Sequence, residues 1–272
     1  MSAEFGAAPP ADSAEVVARF DAILTWARRH RSRLGYFAAL YRGVTLRARN
    51  ALDLGAFEQP QAAERLLVLF ACRYFDALAG HLDGAPVTRS WQVAFDAAGR
   101  WRPTVSQHLL LGINAHINLD LGLAAARTLD EYPLPRADFD RINDLLIQMV
   151  DEIETRLARI WPLLHLLDWL AGRLDEKLIG AALVQARAEA WDFALALRAA
   201  GNTQGGLIEQ RDHRVAEIGR HIISPGPVLG LALATVRMGE LRGIVGIIDL
   251  LDAEAAHART EIEAASGGQP VS

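Results

Sequence analysis

Residues 107–121, Gln107-His108-Leu109-Leu110-Leu111-Gly112-Ile113-Asn114-Ala115-His116-Ile117-Asn118-Leu119-Asp120-Leu121, form an unbroken apolar run that carries two histidines, two asparagines and an aspartate. Plotted at about 100° per residue, His108, Gly112, His116 and Asp120 fall at about 0°, 40°, 80° and 120°, and leucine or isoleucine fills almost every other sector. A helix apolar on most sides is buried on most sides, so this segment is expected at the centre of the fold. Its polar side chains then need partners, because a buried polar group left unpaired costs roughly 1–3 kcal/mol. Either a dense internal network or a ligand must supply them.

The flanking sequence reads as helix throughout. Residues 1–12 lack periodicity and are expected to form a disordered leader. Ser13 then caps a helix marked by Val16, Val17, Phe20, Ile23, Leu24 and Ala27. Further helices are expected over about 32–54 (ended by Gly55), 61–82 and 88–98, the last with Trp91 and Phe95 one turn apart. The central helix starts at Pro103 and Thr104 and runs to about Leu129, before Pro133 and Pro135. From Arg136 a long stripe through Phe139, Ile142, Leu145, Leu146, Met149, Ile153 and Leu157 predicts another helix, with Asp138 as its N-cap and a kink at Trp161-Pro162. Helices over 163–172, 175–200, 206–222 and 228–256, the last with a candidate break at Gly239, complete the pattern, and residues 259–272 read as a disordered tail. No segment alternates with period two in the manner of a strand. The expectation is all-α: a single compact multi-helix bundle over 13–258, built around a buried central helix.

Composition narrows the partners. Lys and Arg number 28 against 33 Asp and Glu, a net charge of -5 over 272 residues, and basic residues cluster only at Arg28–Arg33. Nucleic acids and anionic membranes both demand clustered cations, so neither is an expected partner. The single cysteine, Cys72, excludes an internal disulfide and points to a reducing compartment. Residues 1–13 show no secretory pattern, and the apolar stretches 228–234 and 244–248 are too short to span a bilayer. A cytoplasmic protein with a small-molecule ligand or substrate is expected; the sequence does not bear on oligomeric state.

His116 and Asp120, spaced i, i+4, sit about 6 Å apart on one helix side, which suits chelation of one divalent metal or a hydrogen bond between the two. His108, two turns earlier, joins them only if the helix faces a cleft open along its length. A second row, His213, Glu217 and His221, can serve as ligands, but its helix also carries Arg211, Asp212, Arg214 and Arg220 and reads as a solvated face. Arg187 and Trp191, again i, i+4, with Tyr41 and Trp91 provide amphipathic aromatic walls of the kind small-molecule pockets use. Asn114, Asn118 and Asn143 add orienting polar groups. A phosphate-binding loop, a nucleophile elbow, a Cys-x-x-Cys pair and a Glu-x-x-His pair are all absent.

Tyr36-Phe37, Leu40-Tyr41, Phe70-Ala71, Arg73-Tyr74, Trp91, Phe95 and above all Gln107–Leu121 form a recognisable set. It resembles an uncharacterised bacterial family, a domain of unknown function whose signature reads Leu-Gly-x-Asn-Ala-His-Ile-Asn-x-Asp-Leu, with the likeness extending over about residues 36–195. That family brings no established reaction. A remoter resemblance is to the zinc-dependent phospholipase C and single-strand nuclease superfamily, all-helical hydrolases with a His-x-x-x-Asp and a later His-x-x-x-Glu pair, matched here by His116/Asp120 and His213/Glu217.

The leading expectation is a metal-assisted hydrolase of a phosphoester or similar small substrate. His116 and Asp120 would hold a divalent metal, zinc first, with His108 as third ligand or general base. Asn114, Asn118, Tyr41, Trp91, Asn143, Arg187 and Trp191 would bind substrate. Two alternatives stand beside it: a metal-free small-molecule binding protein with a structural His-Asn-Asp network, and an acid–base cyclase or isomerase using the same residues.

Overall fold

The computed structural model describes residues 5, 8–142, 144, 176–240 and 242–253, and every regular element among them is helical. The chain runs through α1 (Ser13–Arg29), α2 (Gly35–Asp53), α3 (Pro60–Leu82), α4 (Arg89–Ala98) and α5 (Val105–Ala115). A π-helical turn (His116–Asp120) joins α5 to α6 (Leu121–Glu131). After the described part of a helical segment at 136–142 come α7 (Glu176–Ala200), α8 (Gln204–Ile223) and α9 (Pro227–Gly239), then helical residues at 244–253. The expected kink at Trp161-Pro162, the helix over 163–172, most of the stripe after Ile142 and the tail lie outside the described residues.

The helix formed by α5, the π turn and α6 is the axis of the bundle. Its first half packs against α2, α4 and α8, and its second half against α3 and α7. By length and hydropathy this helix could cross a membrane, but 78% of its most apolar stretch is buried, so neighbouring helices cover it. Two glycines permit the close packing. A Cβ on Gly112 would collide with the Phe37 ring of α2, and one on Gly122 would sit 2.9 Å from the backbone oxygen of Ala190 in α7. Leu111, Leu119 and Leu121 are fully buried together with Phe20, Phe70, Tyr74 and Trp91 from the surrounding helices.

Helix starts are tied down largely by carboxylates from elsewhere in the chain. The N-cap of α1 is Asp12, which accepts from the Glu15 N–H at 2.9 Å; Ser13, the expected cap, is already in the first turn and gives its own N–H to Glu64 at 2.6 Å. Asp138 does not cap its own helix. It accepts from the N–H groups of Glu58 and Gln59 at 2.9 and 2.7 Å and so anchors the start of α3. Asp212 of α8 takes the N–H groups of Arg89 and Ser90 at 2.8 and 2.9 Å and the Ser90 hydroxyl at 2.7 Å, at the start of α4. At α5, Thr104 and Gln107 form a capping box, and Glu240 accepts from the Val105 N–H at 2.9 Å. The backbone donors among these bonds are those that a helix start leaves orphaned, and the bonds to Glu64, Asp138, Asp212 and Glu240 also tie together segments distant in the chain. Ahead of α1, Phe5 is buried edge-on against Trp26 at 5.7 Å.

Candidate functional site

The central helix is not the uninterrupted α-helix its periodicity predicts. Between His116 and Asp120 it widens by one π turn, and the Leu121 N–H reaches back five residues to the His116 carbonyl. The wider turn disturbs the regular ladder, and the Asn118 carbonyl accepts from Arg211 Nε at 2.8 Å. π turns are rare and recur at functional sites, because they re-aim side chains that a regular helix would stack. Here the re-aimed side chains are those of the His-x-x-x-Asp pair.

Asp120 is completely buried, and its two oxygens accept three side-chain donors. Oδ2 takes the Trp91 indole N–H at 2.8 Å and faces His116 Nδ1 at 3.1 Å, while Oδ1 takes Arg73 Nε at 3.3 Å. A carboxylate can only accept, so the His116 ring proton sits on Nδ1 and the lone pair on Nε2. The imidazole stacks on Phe70, with ring centroids 3.6 Å apart and planes 8° from parallel, and meets Tyr41 edge-on at 4.5 Å. Phe37, Tyr74 and Trp91 close the box at 5.7, 6.4 and 6.0 Å. Burial holds His116 below its ordinary pKa against the opposing pull of Asp120, so the ring is neutral at pH 7.

Two polar atoms in this box have no hydrogen-bond partner among the described residues, His116 Nε2 and the Tyr74 hydroxyl. One is an acceptor in the neutral ring and the other a donor, since burial alone drives the Tyr74 phenol far above its usual range and keeps it protonated. Of Asp120's three side-chain partners, only Arg73 reaches solvent, with 38% of its side chain exposed. Arg73, Tyr74, Phe70 and Phe37 were not singled out as site residues by sequence. The available signal was an arginine and a tyrosine set side by side in the apolar stretch of α3.

Other expected site residues go elsewhere. Tyr41 and Trp91 are in the box, but Asn114 donates to the Val215 carbonyl at 2.9 Å and Asn118 to Asn114 Oδ1 at 3.0 Å, so both serve the contact with α8. Arg187 is buried near Asp140 and Asp144, with burial pushing its pKa down to about 10. Trp191 packs on Phe139 at 4.9 Å and under Arg136 at 5.3 Å, so this pair belongs to the contact of α7 with the 136–142 segment. Asn143 lies outside the described residues. His213 and Glu217 are more than half exposed and pair with each other at 3.7 Å, and exposed His221 bonds to the Glu217 carbonyl. α8 turns Asp212, Val215, Ala216 and Gly219 inward instead, which leaves the His213–Glu217–His221 row on the solvent side.

His108 does not join His116. Eight residues separate them, about 12 Å along the axis at ~1.5 Å per residue, and His108 packs edge-on against Tyr36 at 5.7 Å. Burial, with Arg33 and Arg237 nearby, lowers its pKa from 6.5 to about 4. A folded-state value below the unfolded one means that the unfolded chain binds the extra proton. The stability contribution is therefore complete above pH 6.5 and is lost as pH falls towards 4, on the order of 3 kcal/mol in total. Urea unfolding of wild type and His108→Phe at pH 7 and pH 4.5 is expected to show a smaller acid loss in the variant. An equal loss in both would mean that His108 does not remain neutral in the fold.

Asp120's oxygens and His116 Nδ1 are committed to one another, Trp91 and Arg73, and no group of three or more His, Cys, Asp or Glu side chains converges among the described residues. The two-pair arrangement that suggested the phospholipase and nuclease superfamily is not assembled, and that likeness is unsupported. No curated protein and no solved structure matches the chain. The family resemblance, by contrast, extends beyond residues 36–195 at both ends: residues 13–225 match the model of DUF5995, a family of unknown function, and the chain belongs to that family.

Proposed function

We propose that this protein is a metal-free acid–base catalyst of the isomerase or cyclase type, acting on a small, largely apolar substrate that carries a carbonyl or comparable oxygen. The observation that carries the reading is the pair of unpartnered groups in one aromatic box, His116 Nε2 and the Tyr74 hydroxyl. A buried polar atom left bare costs roughly 1–3 kcal/mol, so a ligand that supplies one donor and one acceptor to these two atoms gains their pairing. Asp120 orients the neutral imidazole and stabilises the imidazolium formed when Nε2 takes a proton. The protonated Tyr74 phenol donates to the substrate oxygen on which negative charge develops. Returning the proton to a different substrate atom completes an isomerisation. The apolar walls favour a substrate with apolar surface, and Arg73 marks the side from which it enters.

Tyr74→Phe separates this reading from a structural one. Its hydroxyl has no partner among the described residues, so the variant is expected to keep the wild-type unfolding free energy within about 0.5 kcal/mol and yet lose about 10²–10⁴ in turnover. The assay needs no prior substrate: protein is incubated with a metabolite extract in D2O and mass spectra are searched for compounds that gain carbon-bound deuterium. Wild type should label a compound that Tyr74→Phe and His116→Gln do not. No labelled compound, together with nitrogen NMR placing the His116 proton on Nε2, would leave the dyad a packing device. Elemental analysis covers the metal-assisted alternative, since stoichiometric metal lost in a His116→Ala, Asp120→Ala double variant would overturn the metal-free reading.

A further inference from the structure

The opposite end of α5 gathers a second set of chemistry-bearing groups that the dyad does not use. His108 is 7% exposed, and its Nε2 has no hydrogen-bond partner among the described residues. The charged groups that bear on it are both cationic, Arg33 and Arg237, and Arg33 also lies against the hydroxyl of Tyr36, whose ring meets His108 edge-on. Both arginines are held in place by backbone carbonyls around the end of α4. Arg33 Nη1 donates to Ala98 O at 3.2 Å and Arg237 Nε to Trp101 O at 2.6 Å. Pinned by one edge, each guanidinium is pre-organised and does not sweep through solvent.

Charge is unbalanced in this cluster. Glu240 is buried, and both its oxygens are taken, Oε1 by the Val105 N–H at 2.9 Å and Oε2 by Arg237 Nη1 at 2.8 Å. Arg33 has no carboxylate partner among the described residues. Two guanidiniums against one carboxylate leave a net positive charge around a neutral, unpartnered imidazole, in a chain whose overall charge is -5. Buried or half-buried cations in excess are stabilised by an anion, and guanidinium groups match carboxylate and phosphate oxygens in pairs. A phenol and an imidazole N–H supply the further donors that such an oxyanion accepts.

We infer that Arg33, Tyr36, His108 and Arg237 form a second site, which binds the carboxylate or phosphate group of a small anion at the start of α5. His108 takes the tautomer with its proton on Nε2 when the anion is bound and donates to it, and Glu240 keeps Arg237 in place without entering the anion's coordination. The site is independent of the dyad: it needs neither His116 nor Tyr74.

Histidine-labelled full-length protein, titrated at pH 7 with acetate, succinate and inorganic phosphate against sodium chloride of equal ionic strength, tests the assignment by NMR. A saturable shift of the His108 ring signals with at least one of the three anions is expected, with the His116 signals unmoved. The anion that saturates at the lowest concentration separates carboxylate from phosphate as the physiological group. Arg33→Gln and Arg237→Gln should each weaken that binding at least tenfold. Arg237→Gln also frees Glu240, so Arg33→Gln, which breaks no ion pair among the described residues and loses only contacts to the Ala98 carbonyl and the Tyr36 hydroxyl, is the variant that decides if Arg237→Gln fails to fold. No saturable His108 shift with any of the three anions, or one unchanged by Arg33→Gln in folded protein, would overturn the site. Loss of the dyad's activity leaves this result untouched, so the two proposals fail separately.

Discussion

Asp120→Ala should lower the free energy of unfolding by about 3–5 kcal/mol, the largest loss expected from any single substitution in this chain. The carboxylate is fully buried and accepts from Trp91, His116 and Arg73. Removing it strands a buried indole N–H and a buried imidazole N–H beside a small void, while the half-exposed Arg73 guanidinium can turn to solvent. Urea unfolding followed by circular dichroism would show the shift in midpoint. A loss under 1 kcal/mol would mean that water enters the box freely and that the dyad is less enclosed than the packing implies. Asp120→Asn is the chemical companion. It is nearly isosteric and preserves an acceptor for Trp91, but its amide favours the His116 tautomer with the proton on Nε2, which removes the lone pair from the reacting position. In a serine protease whose histidine is oriented by an aspartate, the same change costs about 10⁴ in turnover with the geometry intact, and the proposed acid–base reading carries that expectation to Asp120. Asp120→Asn should therefore lose far more activity than stability, in the deuterium-incorporation assay as in any later assay with the true substrate.

The second large effect is expected at Asp212, which holds the start of the helix that carries Trp91. Its carboxylate receives the Arg89 and Ser90 N–H groups and the Ser90 hydroxyl, and is itself buried. Asp212→Ala leaves the start of α4 without its acceptor and cuts the tie between α4 and α8, a loss of about 2–4 kcal/mol for several charge-assisted bonds made at once. Because α4 presents Trp91 to Asp120, partial fraying of α4 should also expose that indole, which a red shift of tryptophan fluorescence would register before global unfolding. Asp212→Asn should recover less than half of the loss, since only one amide atom accepts. A variant as stable as wild type would show that α4 is held by packing alone. The neighbouring His213, exposed and one residue away, makes the natural control: His213→Ala should change stability by under about 0.5 kcal/mol.

Much of the architecture was legible in the sequence because it depends on local rules. Apolar residues recurring every three or four positions predicted the helices of the bundle, and the boundaries of α3, α4 and α8 fall within a residue or two of their capping and breaking residues. Prolines after Tyr132 and the left-handed glycine at Gly55 (φ 68°) ended helices where expected. The central helix was recognisable because a run so apolar has no stable place except the interior. His116 and Asp120, at i, i+4, were identified as a coupled pair for the same local reason, and they are hydrogen-bonded.

What surrounds the pair was not local, and only the tertiary structure decided it. A widened turn depends on a few neighbouring contacts, among them Arg211 on the Asn118 carbonyl, and leaves no periodic trace in the sequence. The partners that commit Asp120's oxygens come from α3 and α4, and the unpartnered hydroxyl beside His116 comes from Tyr74, 42 positions earlier in the numbering. A helical wheel ranks His108 with His116, but rise along the axis separates them and sends His108 to Tyr36, Arg33 and Arg237. The His213–Glu217–His221 row had ligand spacing yet faces solvent, because the inner side of α8 is set by Asp212, Val215 and Gly219. Periodicity determines which residues share a face of one helix; which faces meet, and which polar atoms are left over when they do, is settled by packing among segments that are far apart in the chain.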